Sequence, residues 1–233
     1  MSVAIQHSAI SQIPRLEAGD RLTREEFERR YAAMPGLKKA ELIEGVVYMP
    51  SPVSHEYHGD PHSILLGLMV IYRLSTPGVE TGDNVTLRLD ADNEPQPDCI
   101  LRIKTECGGQ CPLDENGYLA GAPELIAEIA SSSASYDLHD KQQAYRKAGV
   151  CEYVVWRTRD QAIDWFVLEE GDYSPLPADE NGVFRSRIFP GFWLDALALL
   201  KDDLPRVKAC LEQGFASPEH AAFVERLQAA KGR

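Results

Sequence analysis

The sequence predicts an α/β domain with a central mixed sheet flanked by helices. Three observations carry this. Two short apolar runs, one opening at Cys99-Ile100-Leu101 and one from Leu125 to Ala130, are rich in branched residues and edged by Pro or Gly, as strands are. A helical segment, DLHDKQQAYRKAG, separates the second run from a strongly apolar strand at Glu152 to Trp156. Near the start, Thr23-Arg24-Glu25-Glu26 is a capping box that opens another helix.

Taken in order, residues 1–22 carry no strong pattern and are expected to be loosely ordered. Residues 23–200 make the main domain, and residues 201–233 a helical extension. The capped helix should run from about Arg24 to Ala33 and end at Pro35-Gly36. Glu41 to Met49 alternates as a strand, with a hairpin turn at Gly45. Pro50-Ser51-Pro52 breaks the chain before a helical stretch from His55 to Leu74, although Gly59 and Pro61 argue against one continuous helix. Thr76-Pro77-Gly78 turns the chain, and Val85 to Leu89 reads as a half-buried strand. Asp90-Ala91-Asp92-Asn93-Glu94 lacks the glycine and distal glutamate of a calcium loop and reads as an acidic hairpin turn. That turn makes Gln96 to Ile103 the partner of the preceding strand. Beyond Trp156, Ala162 to Leu168 alternates into another strand, Tyr173-Ser174-Pro175 is a weak edge, and Phe184 to Ile188 is a short strand. The apolar run from Trp193 to Leu200 anchors the end of the domain. Two helices separated by Gly214 to Pro218 complete the chain.

At 44% hydrophobic and 26% charged the composition is that of an ordinary globular protein, and 233 residues suffice for one large domain. No run approaches a membrane span, and the first residues lack the basic start and apolar core of a signal peptide, so a cytoplasmic protein with no membrane partner is expected. Five cysteines without an export signal predict reduced thiols. Cys107 and Cys111 are half of a zinc site at most, since no second Cys or His pair stands at the needed spacing; a flexible loop with two free thiols is expected. The formal net charge of −12 lacks the basic face of a dedicated nucleic-acid binder. It leaves room for an enzyme that holds its substrate through a metal and a local basic patch, for which Arg146 and Lys147 are candidates. No phosphate loop, nucleophile elbow or CxxC pair is present, which removes nucleotide hydrolases, serine hydrolases and thioredoxins.

The chemistry concentrates between Gln96 and Glu152. Asp98 opens one strand and Glu128 sits inside the next, and a carboxylate in a buried strand is costly unless something compensates it. A divalent cation between the two is the simplest compensation, because hard cations take oxygen ligands. Glu128 lies roughly 10 Å from the end of its strand at Ser131. Lys141, about one turn into a helix that starts near Asp137 after a Ser/Ala loop, lies on the order of 6 Å back along the returning axis. The depths match, so Lys141 can reach the acids. Glu41 and Glu44 differ in parity, so one of them faces this site. His55, His58 and His62 fall at i, i+3 and i+7 but miss the HExxH spacing; His55 is read as a substrate contact at a helix start. Gln96, beside the first acid, is a second candidate substrate contact.

Pro97-Asp98, Glu128 and Lys141 within DLHDKQQAYRKAGVCEYVVW, with the earlier ELIEGVVYMPSPVSHEYHG, resemble the Uma-two family of endonuclease-like proteins in the PD-(D/E)XK nuclease superfamily. The resemblance covers roughly Glu41 to Leu168. It implies a restriction-endonuclease-like fold and metal-dependent hydrolysis of phosphodiesters in DNA. It also implies Asp98 and Glu128 as ligands of Mg²⁺ (or Mn²⁺), Lys141 as the group that orients water or offsets charge, and Glu41 as the accessory acid. One departure stands out. The superfamily places a lysine two residues after the second acid; here that residue is Ala130, and the family's displaced lysine corresponds to Lys141. Nucleases that cut both strands often act as dimers, so a homodimer is an expected form.

The sequence also permits two other readings. A non-catalytic nucleic-acid- or protein-binding module could keep the fold without needing a metal. Alternatively, Glu128 and Lys141 could form a purely structural buried ion pair, with Asp98 capping a turn. A third acid close to both carboxylates would count against the ion pair.

Overall fold

A computed structural model describes residues 13–49, 52–131 and 134–231. Residues 1–12 of the stretch expected to be loosely ordered lie outside that set, as do Pro50-Ser51 of the expected chain break and Ser132-Ser133 of the connecting loop.

The chain begins with α1 (Arg24–Ala32), whose N-cap is Thr23: the side chain accepts from the Glu26 N–H, as the capping box predicts. β1 (Glu41–Ile43) and β2 (Val46–Tyr48) form a hairpin. Its two-residue turn, Glu44-Gly45, has positive φ at both positions (49° and 72°), which a tight hairpin demands and glycine adopts without cost. Leu16 is buried, the Gly19 N–H donates to Val47 O, and Arg21 bridges Val46. The described part of the N-terminal stretch is therefore tied to this hairpin.

A π-type turn (His55–Gly59) leads directly into α2 (Asp60–Ser75). Gly59 and Pro61 do not break the run as expected. Pro61 falls in the first turn of α2, where a missing N–H is harmless. β3 (Val79–Asp83), β4 (Leu87–Arg88), β5 (Cys99–Ile103), β6 (Leu119–Ala120) and β7 (Leu125–Ala130) follow. A helical passage then comprises α3 (Ala134–Tyr136), a π-type turn (Asp137–Lys141) and α4 (Gln142–Ala148). β8 (Glu152–Arg157), β9 (Ala162–Glu169) and β10 (Asp172–Pro175) make a meander. β11 (Val183–Arg185) pairs with β12 (Trp193–Asp195), and α5 (Ala196–Leu200), α6 (Leu204–Phe215) and α7 (Pro218–Lys231) end the described chain. None of these helices is long and apolar enough to cross a membrane.

The central sheet has six strands in the order β10-β9-β8-β7-β5-β3. It is mixed: β7 and β8 run parallel, joined by the helical passage, and the other neighbours are antiparallel. One expected pairing is corrected. β5 lies between β3 and β7, not beside the Val85–Leu89 run. That run closes its own acidic hairpin, with the Leu87 N–H on Pro95 O and the Leu89 N–H on Asn93 O. The sequence of β3, VETGD, resembles a turn because it carries a glycine and two acids.

Both faces of the sheet are covered. Cys99, Leu101, Leu125, Ala127 and Ile129 point into the larger core, with α2 and the C-terminal helices. Ile100, Ile126 and Ala130 point to the other side, against Tyr145 and Tyr153. Val207, Leu211, Phe223 and Leu227 belong to the larger core, so the C-terminal helices pack into the domain. Gly214 allows this: a Cβ there would stand 2.1 Å from Gly191 O. The loop bearing Cys107 and Cys111 is not the flexible segment expected. Both thiols are buried, and Cys111 Sγ lies 3.3 Å from Gly121 O.

Candidate active site

Strand alternation decides where the two acids point. On β7, Glu128 shares parity with Ile126 and Ala130; beside β5, Asp98 shares parity with Ile100. Both therefore face the side covered by α4. The β5–β7 register pairs Cys99 with Ala127, so one residue further along Asp98 stands across from Glu128. The Asp98 N–H reaches Glu128 Oε2 at 3.4 Å, and the Ile129 N–H donates to Asp98 Oδ2 at 2.8 Å. Each acid is thus fixed by the other's strand.

Lys141 arrives from the helical passage. Its Nζ lies 2.9 Å from Glu128 Oε1, 3.1 Å from Glu41 Oε1 and 3.9 Å from Asp137 Oδ1. The Tyr145 hydroxyl donates to the same Glu128 oxygen at 2.7 Å. Glu41 enters from β1, whereas Glu44 sits in the turn and pairs with Lys147. Glu41 Oε1 also accepts from the Gln96 N–H at 2.7 Å. Asp98 has its own neighbours: His58 Nε2 is 3.2 Å from Oδ2 and Lys39 Nζ is 3.9 Å from Oδ1.

Asp98, Glu128, Lys141 and Glu41 thus meet at one place, all buried. Gln96 joins them through its backbone. His55 is exposed at the start of its turn, and no hydrogen bond or ion pair among the described residues joins it to the acids. His58, three residues on, is the histidine that contacts Asp98. The i, i+3, i+7 histidine spacing is the sequence signal for this contact, because the helical run continues through Gly59 and Pro61. Tyr145 and Asp137 stand four residues either side of Lys141, a spacing that puts all three on one helical face. Lys39 carries no comparable mark. Arg146 and Lys147 pair with Asp172 and Glu44 at exposed positions, so both are already committed.

The electrostatics differ between the two acids. Burial raises the Asp98 carboxyl, but His58, the Ile129 N–H and Lys39 outweigh it and hold it down at about 2. Burial pushes the Glu128 carboxyl up to about 8; Lys141 opposes this, and Asp98, Asp137 and Glu41 add to it. Burial works against the Lys141 ammonium, yet Glu128, Glu41 and Asp137 keep it protonated far beyond the ordinary lysine range. One permanent cation therefore serves several carboxyls.

A divalent ion fits what remains. Among the described residues Glu128 Oε2 accepts only the long Asp98 N–H bond, and Asp98 Oδ1 faces Lys39 at 3.9 Å, which leaves one hard oxygen acceptor on each acid. Among the described residues no cluster of three His, Cys, Asp or Glu ligands is preformed. Mg²⁺ requires none, since it is commonly held by one or two carboxylates and completes its shell with water.

A family model described as "Putative restriction endonuclease", Uma2, matches residues 24–198. A crystal structure titled as a putative nuclease of the DUF820 group, from Anabaena variabilis, shares the fold with a TM-score of 0.57 at 18% identity, covering 77% of this chain and 99% of its own. No curated protein matches the sequence at a significant level.

Proposed function

The chain belongs to the Uma2 family, and from that premise we propose that it is a metal-dependent endonuclease hydrolysing phosphodiester bonds in DNA. The supporting observation is the mismatch of charge at the site. Two buried carboxylates, Glu41 at 3.1 Å and Glu128 at 2.9 Å, lie against the single ammonium of Lys141. A structural ion pair needs one carboxylate; further buried carboxylates raise its cost. Glu41, a second buried carboxylate on that lysine, counts against that reading.

In the proposed enzyme Asp98 and Glu128 hold Mg²⁺ or Mn²⁺. Such an ion supplies Lewis acidity and neutralises charge on the scissile phosphate. The protein's own residues do the positioning. The Ile129 and Asp98 N–H groups lock the two carboxylates in register. Tyr145 and Lys141 converge on one Glu128 oxygen and leave the other available. Glu41 holds the lysine from the hairpin side and is the accessory acid. In this reading the Lys141 ammonium offsets negative charge that develops at the metal-bound phosphate.

The test is nicking of supercoiled plasmid by the full chain, with and without millimolar Mg²⁺ or Mn²⁺, beside Glu128→Gln. Divalent-dependent nicking that the variant loses supports the reading. A wild type that binds DNA equally well in chelator and cuts nothing is instead a non-catalytic binding module.

A further inference from the structure

Lys141 is enclosed, but a second lysine of the site is not. The Lys39 side chain is 24% exposed, against 5% for Lys141. Its Nζ donates to Asn84 Oδ1 at 2.9 Å and stands 3.9 Å from Asp98 Oδ1, beyond hydrogen-bond range. An ammonium has three donor protons, and these two contacts occupy one of them well.

Asn84 is built to hold it. Its φ of +50° lies in the left-handed region, which asparagine tolerates better than most residues. Its N–H donates to Asp98 O at 3.3 Å, and its side-chain amide donates to Asp83 Oδ1 at 2.8 Å. Asp83 Oδ1 is 3.1 Å from His62 Nε2, which also lies 3.0 Å from Asp98 O. The anchor of Lys39 and the backbone of Asp98 therefore belong to one hydrogen-bonded network. An ammonium set at the mouth of an acidic site by such a network suits an anion arriving from solvent. A phosphodiester is repelled by the carboxylates and needs a nearby cation. Among the described residues, Lys39, His58 and Lys141 are the cationic types within ion-pairing distance of Asp98, Glu128 and Glu41, and Lys39 is the least enclosed of the three.

We propose that Lys39, held by Asn84, is the phosphate-contacting cation of this site and binds a non-bridging oxygen of the DNA backbone. This rests on the nuclease reading.

The test is fluorescence anisotropy of a labelled DNA duplex with the full chain, in EDTA and in Ca²⁺, over a range of salt concentrations. Lys39→Ala should weaken binding regardless of duplex sequence and make the plot of log affinity against log salt shallower by about 0.9. Lys39→Arg should restore the slope. A lysine that only screens Asp98 would leave the slope unchanged, so an unchanged slope in folded Lys39→Ala overturns the proposal. If Lys39→Ala does not fold, Lys39→Gln replaces it with the same criterion. Plasmid nicking separates the two readings. A nicking wild type with an unchanged variant slope removes Lys39 alone. A shallower variant slope without nicking by wild type supports the phosphate contact and removes the nuclease. No duplex binding by wild type at any salt concentration overturns both.

Discussion

Lys141 Nζ lies 2.9 Å from Glu128 Oε1, across thirteen residues of chain, with both side chains buried. Two accounts of this contact, a structural pair and one part of a metal-centred site, predict different behaviour. If the pair were only structural, Lys141→Ala would leave Glu128 uncompensated and cost on the order of 3–5 kcal/mol, with or without Mg²⁺. In a metal site the ion takes over part of that compensation. We expect a large stability loss in chelator, a much smaller one in Mg²⁺, and nicking reduced about 10²–10³-fold. Lys141→Met, which keeps the stem, should behave alike. Equal destabilisation in both conditions would sink the metal-site account.

Divalent ions should raise the melting temperature through preferential binding to the folded state. At about a hundred times its dissociation constant an ion contributes ~2.7 kcal/mol. Asp98→Asn should abolish that gain, because it removes one of the two carboxylates offered to the ion. Thermal melts in EDTA and in millimolar Mg²⁺ or Mn²⁺ check this; identical wild-type curves would leave the site without its ion.

The metal-free protein should lose stability as pH rises from about 4.5 to about 8. Glu128 and Glu94 are both raised from 4.5 to about 8, mainly by burial. Glu152 shifts the same way, again mainly through burial. Within that window the folded state binds more protons than the unfolded chain, so unfolding free energy falls with pH. Lys141 stays charged in both states there and contributes no slope. Asp98 has the opposite sign: its stabilisation is present above 3.8 and is lost as pH falls through about 2. Urea melts at closely spaced pH values should show the decline, and Glu128→Gln should make it shallower. A stability that climbs across the window would contradict the buried-acid geometry.

The thiols should behave as interior groups. Burial pushes Cys111 and Cys210 up to about 11 and Cys99 well beyond the ordinary thiol range. Only half-buried Cys151 is more accessible than these. Titration with a chromogenic disulfide should therefore be slow in the native state apart from Cys151, and reach all five thiols on unfolding. Zinc should not copurify; stoichiometric zinc, or rapid native reaction at Cys111, would contradict the buried loop.

Much of the fold was legible because local chemistry dictated it. Thr23 caps α1, Glu44-Gly45 turns the first hairpin, and the apolar runs at Leu125 to Ala130 and Glu152 to Trp156 become adjacent parallel strands. The acids and Lys141 could be named from residue type and order, since carboxylates in apolar strands need compensation wherever they lie. Tertiary structure alone decided the partnerships. β3 pairs with β5 because strand pairing depends on the whole sheet, and VETGD has no local pattern to announce it. His58 reaches Asp98, and His55 does not, because a π-type turn carries the helix through Gly59 and past Pro61. Lys39 stands beside Asp98, partly exposed, with Asn84, forty-five residues away in sequence, as its hydrogen-bond partner. Charge and residue type are properties of the chain. Which oxygen is left free, and which lysine faces water, depend on how distant segments pack.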